Sequence, residues 1–318
     1  MTRFALALVV GLFASVATAA DFELTKEEDG ITVKHDGKLV TRYVFLSKSK
    51  PILWPVVGPG GKELTRGYPM RPALESEKAD HPHHRSFWFD HGDVNGVSFW
   101  DENEKRPYGS ILHKEVVKVE GGKQGVIITR NDWKMPDGSI VCSDERTHTF
   151  GVFGESRWID ADISVTAVAD KVTFGSTKEG SFGVRVAGPL SVDSKVGGKI
   201  VTSEGLTDAA AWGKRAAWVD YHGPLDGEVM GIAILNHPAS FRHPTPWHVR
   251  TYGLFAANPF GLKDFGITGE GDGSHQMKKG DKLTLRHRVV LHRGDEKQGK
   301  IAEIYAEYAK VKKGLEGQ

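Results

Sequence analysis

Residues 81–91 combine histidines with groups that could bind or transform a polar ligand. The polar and aromatic members are His81, His83, His84, Arg85, Phe87, Trp88, Phe89, Asp90 and His91. Imidazole transfers protons near neutral pH, and aromatic rings mixed with a few polar groups are typical of a ligand pocket. We therefore expect His83 and His84 to be catalytic. We expect Arg85 and Trp88 to bind substrate.

The spacing of His81 and His83 also suits a metal ion, since an H-x-H pair can direct two imidazoles at one centre. His91 would supply a third ligand. Neither an H-E-x-x-H nor a C-x-x-C motif accompanies the pair. A divalent metal held by these three histidines is thus an alternative to metal-free acid–base chemistry, and no other cofactor is indicated.

A second stretch, residues 236–258, has a similar character. As a strand, its segment 247–252 places His248, Arg250 and Tyr252 on one face. Such a face is costly to bury unless it is paired or contacts a ligand. We expect His237 and His248 to be catalytic and the fold to bring both stretches together. The remaining expected substrate-binding residues are Arg185, Asp220, His222, Arg242, His243, Trp247, Arg250 and Asn258.

Most of the chain shows the pattern of short β-strands that end at Gly, Asp-Gly or Pro. Residues 31–35 and 39–46 flank Asp36-Gly37, which is a hairpin signal. Residues 157–165 alternate between apolar and polar with a period of two. Many strands with few helices argue against doubly wound α/β folds and α/β barrels. The prediction is a mainly β protein, a large antiparallel β-sandwich of the supersandwich-like kind.

One helix is predicted, at the C-terminal end. Ile301, Ile304, Tyr305 and Tyr308 recur at helical spacing and form an amphipathic face. Asp295, three residues before Gln298, resembles a capping arrangement. We expect this helix to pack on the sandwich.

Composition limits the remaining alternatives. The chain has 318 residues, with 42 Lys and Arg against 41 Asp and Glu, and no basic block. A nucleic-acid partner is therefore not expected, because it would need a concentrated basic surface. Cys142 is the only cysteine, so stability must come from a large core. We expect residues 20–318 to form a single domain.

Residues 1–19 have the features of a secretory signal peptide. Arg3 precedes an apolar run that ends in an Ala-x-Ala cleavage signal. The run is shorter than the ~20 residues needed to span a bilayer. We expect an exported protein, periplasmic or extracellular, with no integral membrane segment after cleavage.

Several motifs together resemble the PmoA-like family of bacterial proteins. They are residues 81–85, 182–187, 218–223, 236–238 and 244–261. The resemblance covers nearly all of the mature chain, and by association it implies carbohydrate chemistry. A weaker similarity is to galactose mutarotase-like supersandwich proteins. It implies an early His and Arg, echoed by His84-Arg85, and a later catalytic His, echoed by Asn236-His237-Pro238.

The function expected from the sequence is that of a secreted carbohydrate-active enzyme. It would act on a sugar or oxidised sugar by His-centred acid–base chemistry, as an isomerase, lyase or hydrolase. The partner would be a small molecule or a glycan. The alternatives are a non-catalytic carbohydrate-binding sandwich and a metal-dependent enzyme.

Overall fold

The computed structural model describes residues 21–312, which form two large antiparallel sheets packed face to face. The signal peptide predicted at residues 1–19 lies outside the described residues. Within the described range the strands are, in chain order, β1 (Phe22–Lys26), β2 (Gly30–His35), β3 (Lys38–Ser47), β4 (Lys50–Val56), β5 (Phe87–His91), β6 (Ser110–Glu120), β7 (Gly125–Lys134), β8 (Ile140–Phe153), β9 (Ser156–Ala167), β10 (Lys171–Phe174), β11 (Gly180–Arg185), β12 (Lys199–Thr202), β13 (Trp218–Leu225), β14 (Glu228–Asn236), β15 (Trp247–Val249), β16 (Leu254–Ala257), β17 (His275–Lys278) and β18 (Lys282–Arg293).

Helices are few in the described part of the chain. The α-helix α1 (Ile301–Tyr308) follows the last strand. Short 3-10 helices occupy Pro59–Gly61, Gly188–Leu190, Val192–Ser194 and Asp208–Ala211. No helix among residues 21–312 is long and apolar enough to cross a membrane.

The strand order fixes which residues face which side. The first sheet runs β1-β2-β3-β4-β5-β11-β16-β15, and the second runs β12-β13-β14-β18-β9-β8-β7-β6. β10 and β17 form a separate pair. The hairpin predicted around Asp36-Gly37 joins β2 to β3, and the mainly β sandwich with a C-terminal helix is confirmed.

The core lies between the two sheets and follows from the alternation of each strand. In β9, Ile159, Ala161, Ile163 and Val165 point into this core, whereas Trp158 belongs to a cluster on the opposite face. Large apolar side chains from both sheets are completely buried here, at about 25 cal/mol for each Å² of apolar surface removed from water. The core therefore provides the stability that a chain with one buried, free cysteine cannot draw from disulfides.

Helix α1 covers the outer face of the second sheet. Its buried residues, Ile301, Ile304 and Tyr308, pack in one cluster with Trp158 and Trp218. The guanidinium of Arg288 lies 4.1 Å from the Trp158 ring centre and 4.5 Å from that of Tyr308. The helix is thus held by apolar contacts and by a cation placed between two aromatic rings.

The capping pair predicted at Asp295 and Gln298 forms, but it does not cap the helix. The Gln298 backbone N–H donates to Asp295 Oδ1 at 2.8 Å, and the Asp295 N–H donates to Gln298 Oε1 at 3.2 Å. The helix begins only at Ile301, after Lys300 in the left-handed region with φ of 54°. The pair therefore closes a turn that precedes the helix.

Replacing Ile304 by Ala tests the docking of α1. The side chain is 3% exposed among large aromatic residues, so its loss should lower the free energy of unfolding by ~2–5 kcal/mol. Glu303→Ala, on the exposed side of the same turn, is the matched control and should change it by less than ~0.5 kcal/mol. Equilibrium denaturation measures both, and equal effects would contradict this packing.

Candidate active site

A cleft of about 800 Å³ opens on the outer face of the first sheet. Its walls come from the loop before β5, from the segment after β5, from the segment before β11, and from β15 with the turn that follows it. Side chains that line it include His81, His83, His84, Trp100, Asp101, Tyr108, Lys178, Glu179, His248, Arg250 and Tyr252. The cleft therefore brings part of the first predicted cluster together with part of the second.

A row of residues across four strands supports this cleft. Trp88 on β5 is paired with Gly183 on β11, and Gly183 is paired with Ala256 on β16. Ala256 is paired in turn with His248 on β15. A Cβ on Gly183 would lie 2.6 Å from the Trp88 ring. Glycine is required there because any side chain would collide with the indole.

An ion-paired network holds the loop that carries His81 and His84. Asp80 Oδ1 accepts hydrogen bonds from Arg66 and from Arg185, both at 2.7 Å. Arg66, itself 1% exposed, also donates to the backbone carbonyls of His81 at 3.0 Å and His84 at 3.3 Å. One buried guanidinium thus organises an irregular loop through its fixed fork of donors.

His84 is neutral, and its tautomer is set by Arg185. The Arg185 guanidinium lies 3.1 Å from His84 Nδ1, and a guanidinium can only donate, so Nδ1 accepts and Nε2 carries the proton. Burial, reinforced by the charges of His83 and Arg185, holds the pKa of His84 well below its usual range. Nε2–H has no hydrogen-bond partner among the described residues, so it is available as a donor at the cleft.

His248 has the opposite tautomer. Its Nδ1 lies 2.7 Å from the Lys178 carbonyl oxygen, which can only accept, so Nδ1 carries the proton and Nε2 keeps its lone pair. Burial lowers the pKa of His248 to about 4, although the bond to Lys178 opposes the shift. His248 is therefore an unprotonated base at neutral pH, and its Nε2 has no partner within residues 21–312.

Aromatic rings stack beside these two groups. The His81 ring is parallel to those of His84 and Tyr252, with ring centres 4.9 Å and 5.2 Å away. The Trp88 ring is nearly parallel to His84 at 5.5 Å. Such flat faces beside polar groups suit a ligand with both C–H and O–H surfaces.

His83 lies across from this stack. Its ring meets that of His84 edge-on at 4.5 Å, and its Nδ1 is 4.0 Å from Asp101 Oδ1. Burial first, and then the charge of Lys50, lowers the pKa of His83 to about 3. His83 is therefore also neutral in the cleft wall.

The charges along the cleft are balanced. Arg106, Lys178 and Arg250 face Asp93, Asp101 and Glu179 in the described lining. Arg250 lies 5.7 Å above the Trp212 ring and 5.8 Å above the Tyr252 ring. This mixture favours a neutral or singly charged polar ligand over a polyanion.

Ion pairs support one cleft wall from behind. The fully buried Lys50 donates to Asp90 at 2.5 Å and to the Trp100 carbonyl at 3.2 Å. Arg85 forms a bidentate pair with Glu102: its Nε donates to Oε1 at 2.9 Å and its Nη2 donates to Oε2 at 2.7 Å. The guanidinium of Arg85, which was predicted to bind substrate, therefore binds a protein carboxylate instead.

Several predicted site residues lie outside the cleft lining. Both ring nitrogens of His91 are bonded, to Ser181 Oγ at 3.1 Å and to the Gly175 carbonyl at 2.9 Å. Trp247 belongs to the central core and Arg242 binds backbone carbonyls. Asn258 donates to the Thr177 carbonyl at 2.9 Å and so supports the segment before β11.

His237 and His243 lie next to α1, in contact with the helix and the residues that follow it. His237 Nε2 is 3.1 Å from the Val311 carbonyl, and its ring contacts that of Tyr308. His243 Nδ1 is 2.8 Å from Asn236 Oδ1. The structure thus uses these two histidines to join the end of β14 to the C-terminal helix.

Asp220 and His222 lie on the outer face of the second sheet. In β13, Val219 and Tyr221 point into the central core, so the intervening polar residues point away from it. His222 Nδ1 is 2.6 Å from Asp220 Oδ1. This pair is therefore on the side of the sandwich opposite the cleft.

Some residues that line or support the cleft were not predicted. Asp80 and Arg66 lie in an irregular loop, where no periodicity marks a partner. Lys178 contributes through its backbone carbonyl, which carries no sequence signal. Tyr252 did have one, because it shares a face with His248 and Arg250 in the predicted strand.

Comparison with known proteins assigns the family. A model described as a family of unknown function, DUF6807, matches residues 30–306. The chain belongs to this family. Its description carries neither an activity nor a PmoA label, so that resemblance stays a prediction. No curated protein matches the chain.

Solved structures with a related arrangement include two α-galactosidases and a putative aldose 1-epimerase. The α-galactosidases AgaA from Geobacillus stearothermophilus and that from Lactobacillus brevis are 8% and 9% identical, both with a TM-score of 0.42, and cover 86% and 90% of this chain. This chain spans 40% and 41% of theirs. The Escherichia coli K12 epimerase is 11% identical over 86% of this chain and 99% of its own, with a TM-score of 0.33. Likeness at this level carries no conclusion about activity.

The buried neutral histidines predict acid-sensitive folding. Burial lowers the pKa of His91 to about 4 and those of His148 and His287 to about 3. In the unfolded chain these imidazoles take up protons near pH 6.5, whereas in the folded chain they do so only near pH 3–4. The folded state therefore has its full stability above pH 6.5 and loses stability as the pH falls towards 3–4. Burial raises the pKa of Asp90 to about 6. This carboxyl group therefore makes the folded state more stable as the pH falls, but it is one group against several histidines.

Between pH 6 and 4.5 the free energy of unfolding should therefore fall by more than ~1.4 kcal/mol per pH unit, the slope of one proton. Urea denaturation across this range measures it. His287→Gln removes one of these imidazoles and should reduce the slope of the free energy of unfolding against pH by up to ~1.4 kcal/mol per pH unit. A flat profile would contradict the neutral, buried state of these imidazoles.

Proposed function

We propose that this chain is a carbohydrate-active enzyme of the isomerase or lyase type that removes a proton next to the carbonyl of an oxidised sugar. The observation that carries the proposal is the pair of neutral imidazoles with opposite tautomers in one cleft. His248 presents a lone pair to the cleft, whereas His84 presents an N–H. A base and a hydrogen-bond donor are the two groups that enolisation needs.

In this proposal His248 Nε2 accepts the proton from the carbon beside the carbonyl. The His84 Nε2–H donates a hydrogen bond to the carbonyl oxygen as negative charge develops there. His84 keeps its proton throughout, since Arg185 bonds to its other nitrogen at 3.1 Å. In an isomerase, the neighbouring hydroxyl proton passes to the former carbonyl oxygen and His248 returns its proton to the former carbonyl carbon. In a lyase, the bond to a substituent on the next carbon breaks, and the departing group takes the bonding electrons and the proton from His248.

The low pKa values argue against acid-assisted hydrolysis by these imidazoles. Burial lowers the pKa of His248 to about 4 and holds that of His84 well below its usual range, so neither carries an extra proton to give at neutral pH. A group that protonates a leaving oxygen must itself be protonated at the working pH, whereas a base must be unprotonated. Base catalysis beside a carbonyl is therefore the better match.

The cleft also fits a sugar in size and lining. A volume of about 800 Å³ lies within the ~300–1,000 Å³ range of small-molecule sites. Tyr108 and Tyr252, which are only partly buried, add aromatic surface for the C–H side of a ring, while acidic and basic side chains can bind hydroxyl groups. Arg185 and Trp88 are positioning residues, because they contact His84 rather than the open cleft.

Substitution of the two imidazoles tests the assignment. On a panel of sugars and keto-sugars, His248→Gln and His84→Gln should each lower kcat by at least ~100-fold, the usual share of a positioned proton-transfer group. His243→Gln, at a half-buried histidine outside the cleft lining, is the control and should leave kcat within about twofold. Full activity in both cleft variants would overturn the proposal.

A carbohydrate-binding role without catalysis makes a different forecast. Ligand affinity would then survive both histidine substitutions but fall on Tyr252→Ala, which removes one face of the ring stack. Calorimetric titration with the same sugars separates this outcome from loss of catalysis.

The pH profile of kcat/KM provides a separate test. A base with a pKa of about 4 is active when unprotonated, so the rate should be constant near neutral pH and fall tenfold per pH unit below about pH 4. Assays should be restricted to conditions in which circular dichroism shows the native fold. An acid limb centred near pH 6.5 would show that the base is not this buried imidazole.

A further inference from the structure

A second polar cluster lies on the outer face of the second sheet, remote from the cleft. Asp220 and His222 on β13, His292 on β18 and Glu296 after it converge there. Ligand atoms of Asp220, His222 and Glu296 all lie within 4.8 Å of one another. The proposed reaction uses none of these residues.

The central carboxylate is completely buried between two imidazoles. Asp220 Oδ1 is 2.6 Å from His222 Nδ1, and Asp220 Oδ2 is 2.6 Å from His292 Nε2. Glu296 Oε2 lies 3.9 Å from the same His222 Nδ1. Asp220 and His292 are both 0% exposed, so two carboxylates and two imidazoles meet in a largely dry site.

The orientation of His292 is informative. Its Nδ1 lies 3.1 Å from the Arg293 carbonyl oxygen, so Nδ1 carries a proton and donates it. The other nitrogen, Nε2, therefore points at the Asp220 carboxylate. A lone pair 2.6 Å from a carboxylate oxygen would be repulsive, so Nε2 also carries a proton and donates it to Asp220 Oδ2.

His292 thus holds the Asp220 carboxylate, and its bond to the Arg293 carbonyl fixes the plane of its ring. Such support behind a ligand is typical of metal sites. The structure also makes room for this ring. A Cβ on Gly231 would lie 2.2 Å from His292 Cε1, and one on Gly299 would lie 2.3 Å from Nδ1. Two glycines, at which any side chain would collide with the ring, thus form the slot that holds the His292 imidazole.

We propose that Asp220, His222 and Glu296, whose ligand atoms converge, bind a divalent transition-metal ion of the zinc class. An imidazole nitrogen with two carboxylates matches that class, whereas calcium and magnesium prefer oxygen ligands alone. Small movements are needed, because the 2.6 Å contact between Asp220 and His222 is shorter than the spacing of two atoms bound to one ion. Glu296 is the most exposed member, with 16% of its side chain accessible.

The position suggests a structural role for the ion. Glu296 belongs to the turn between β18 and α1, whereas Asp220 and His222 lie on β13, and His292 on β18 reaches Asp220 across the intervening strand β14. A metal bound there would tie the turn before α1 to the sheet. Binding to the native state alone raises stability by mass action.

Zinc titration of the chelator-treated chain tests this site. Calorimetry with Zn²⁺ should show one ion per chain, and the thermal unfolding midpoint should rise with zinc concentration. Glu296→Gln, which removes a partly exposed oxygen ligand, should weaken binding by at least about tenfold. His222→Ala should do the same, and circular dichroism will show whether each variant is folded.

His83→Ala is the matched control, since it removes the imidazole of the cleft that the H-x-H spacing suggested as a ligand. Zinc affinity should be unchanged in this variant. Absence of stoichiometric binding, or an affinity unaffected by Glu296→Gln, would overturn the proposal. Binding lost in His83→Ala alone would also overturn it and would place the ion in the cleft.

Discussion

The candidate site depends on one carboxylate shared by two arginines. Asp80 binds both Arg66 and Arg185 at 2.7 Å, and it comes from a loop, whereas Arg185 comes from the first sheet. Burial lowers the pKa of Arg66 to about 10, which the neighbouring Arg185 reinforces and the Asp80 carboxylate opposes. Two guanidiniums close together would repel each other without this anion. The carboxylate therefore allows a loop of irregular backbone to be fixed on a sheet.

The contact between Asp80 and Arg185 also determines the protonation of His84. Arg185 can reach His84 only because Asp80 holds the other end of its guanidinium. Its donation then decides which nitrogen of His84 carries the proton. A backbone carbonyl makes the reverse choice at His248. Two imidazoles of equal intrinsic chemistry thus become a donor and an acceptor through one neighbouring atom each, while burial keeps both uncharged.

Local patterns were enough to predict the mainly β sandwich and its C-terminal helix. Alternation within residues 157–165 and the Asp36-Gly37 turn depend on neighbours in sequence, and both appear as expected in β9 and in the β2–β3 hairpin. The helix start was less accurate, because the pair at Asp295 and Gln298 closes an isolated turn. Such a pair stabilises a turn whether or not a helix continues from it.

The candidate site was only partly predictable because membership of a sheet is a long-range property. β14 ends at Asn236 in the second sheet, and β15 begins at Trp247 in the first. The ten residues between them cross from one sheet to the other. His237 and His248 resemble each other in sequence, yet this crossing places them beside different elements. The alternation of side chains along β15 was predictable from the sequence, and it correctly placed His248 and Trp247 on opposite faces of the strand.

His248 is carried by a strand of three residues at the margin of the first sheet, paired on one side only. Unlike the residues of β11, which are enclosed by β5 and β16, it is bordered on its outer flank only by a loop, whose residues Gly213 and Lys214 bond the backbone of Trp247. The connections before and after it can change length without disturbing the ladder of the other strands. Across a family, the base could therefore be repositioned relative to a fixed donor at His84. Divergence of substrate range in proteins of this architecture would then be concentrated at one margin of the sheet, while the opposite wall stays constant.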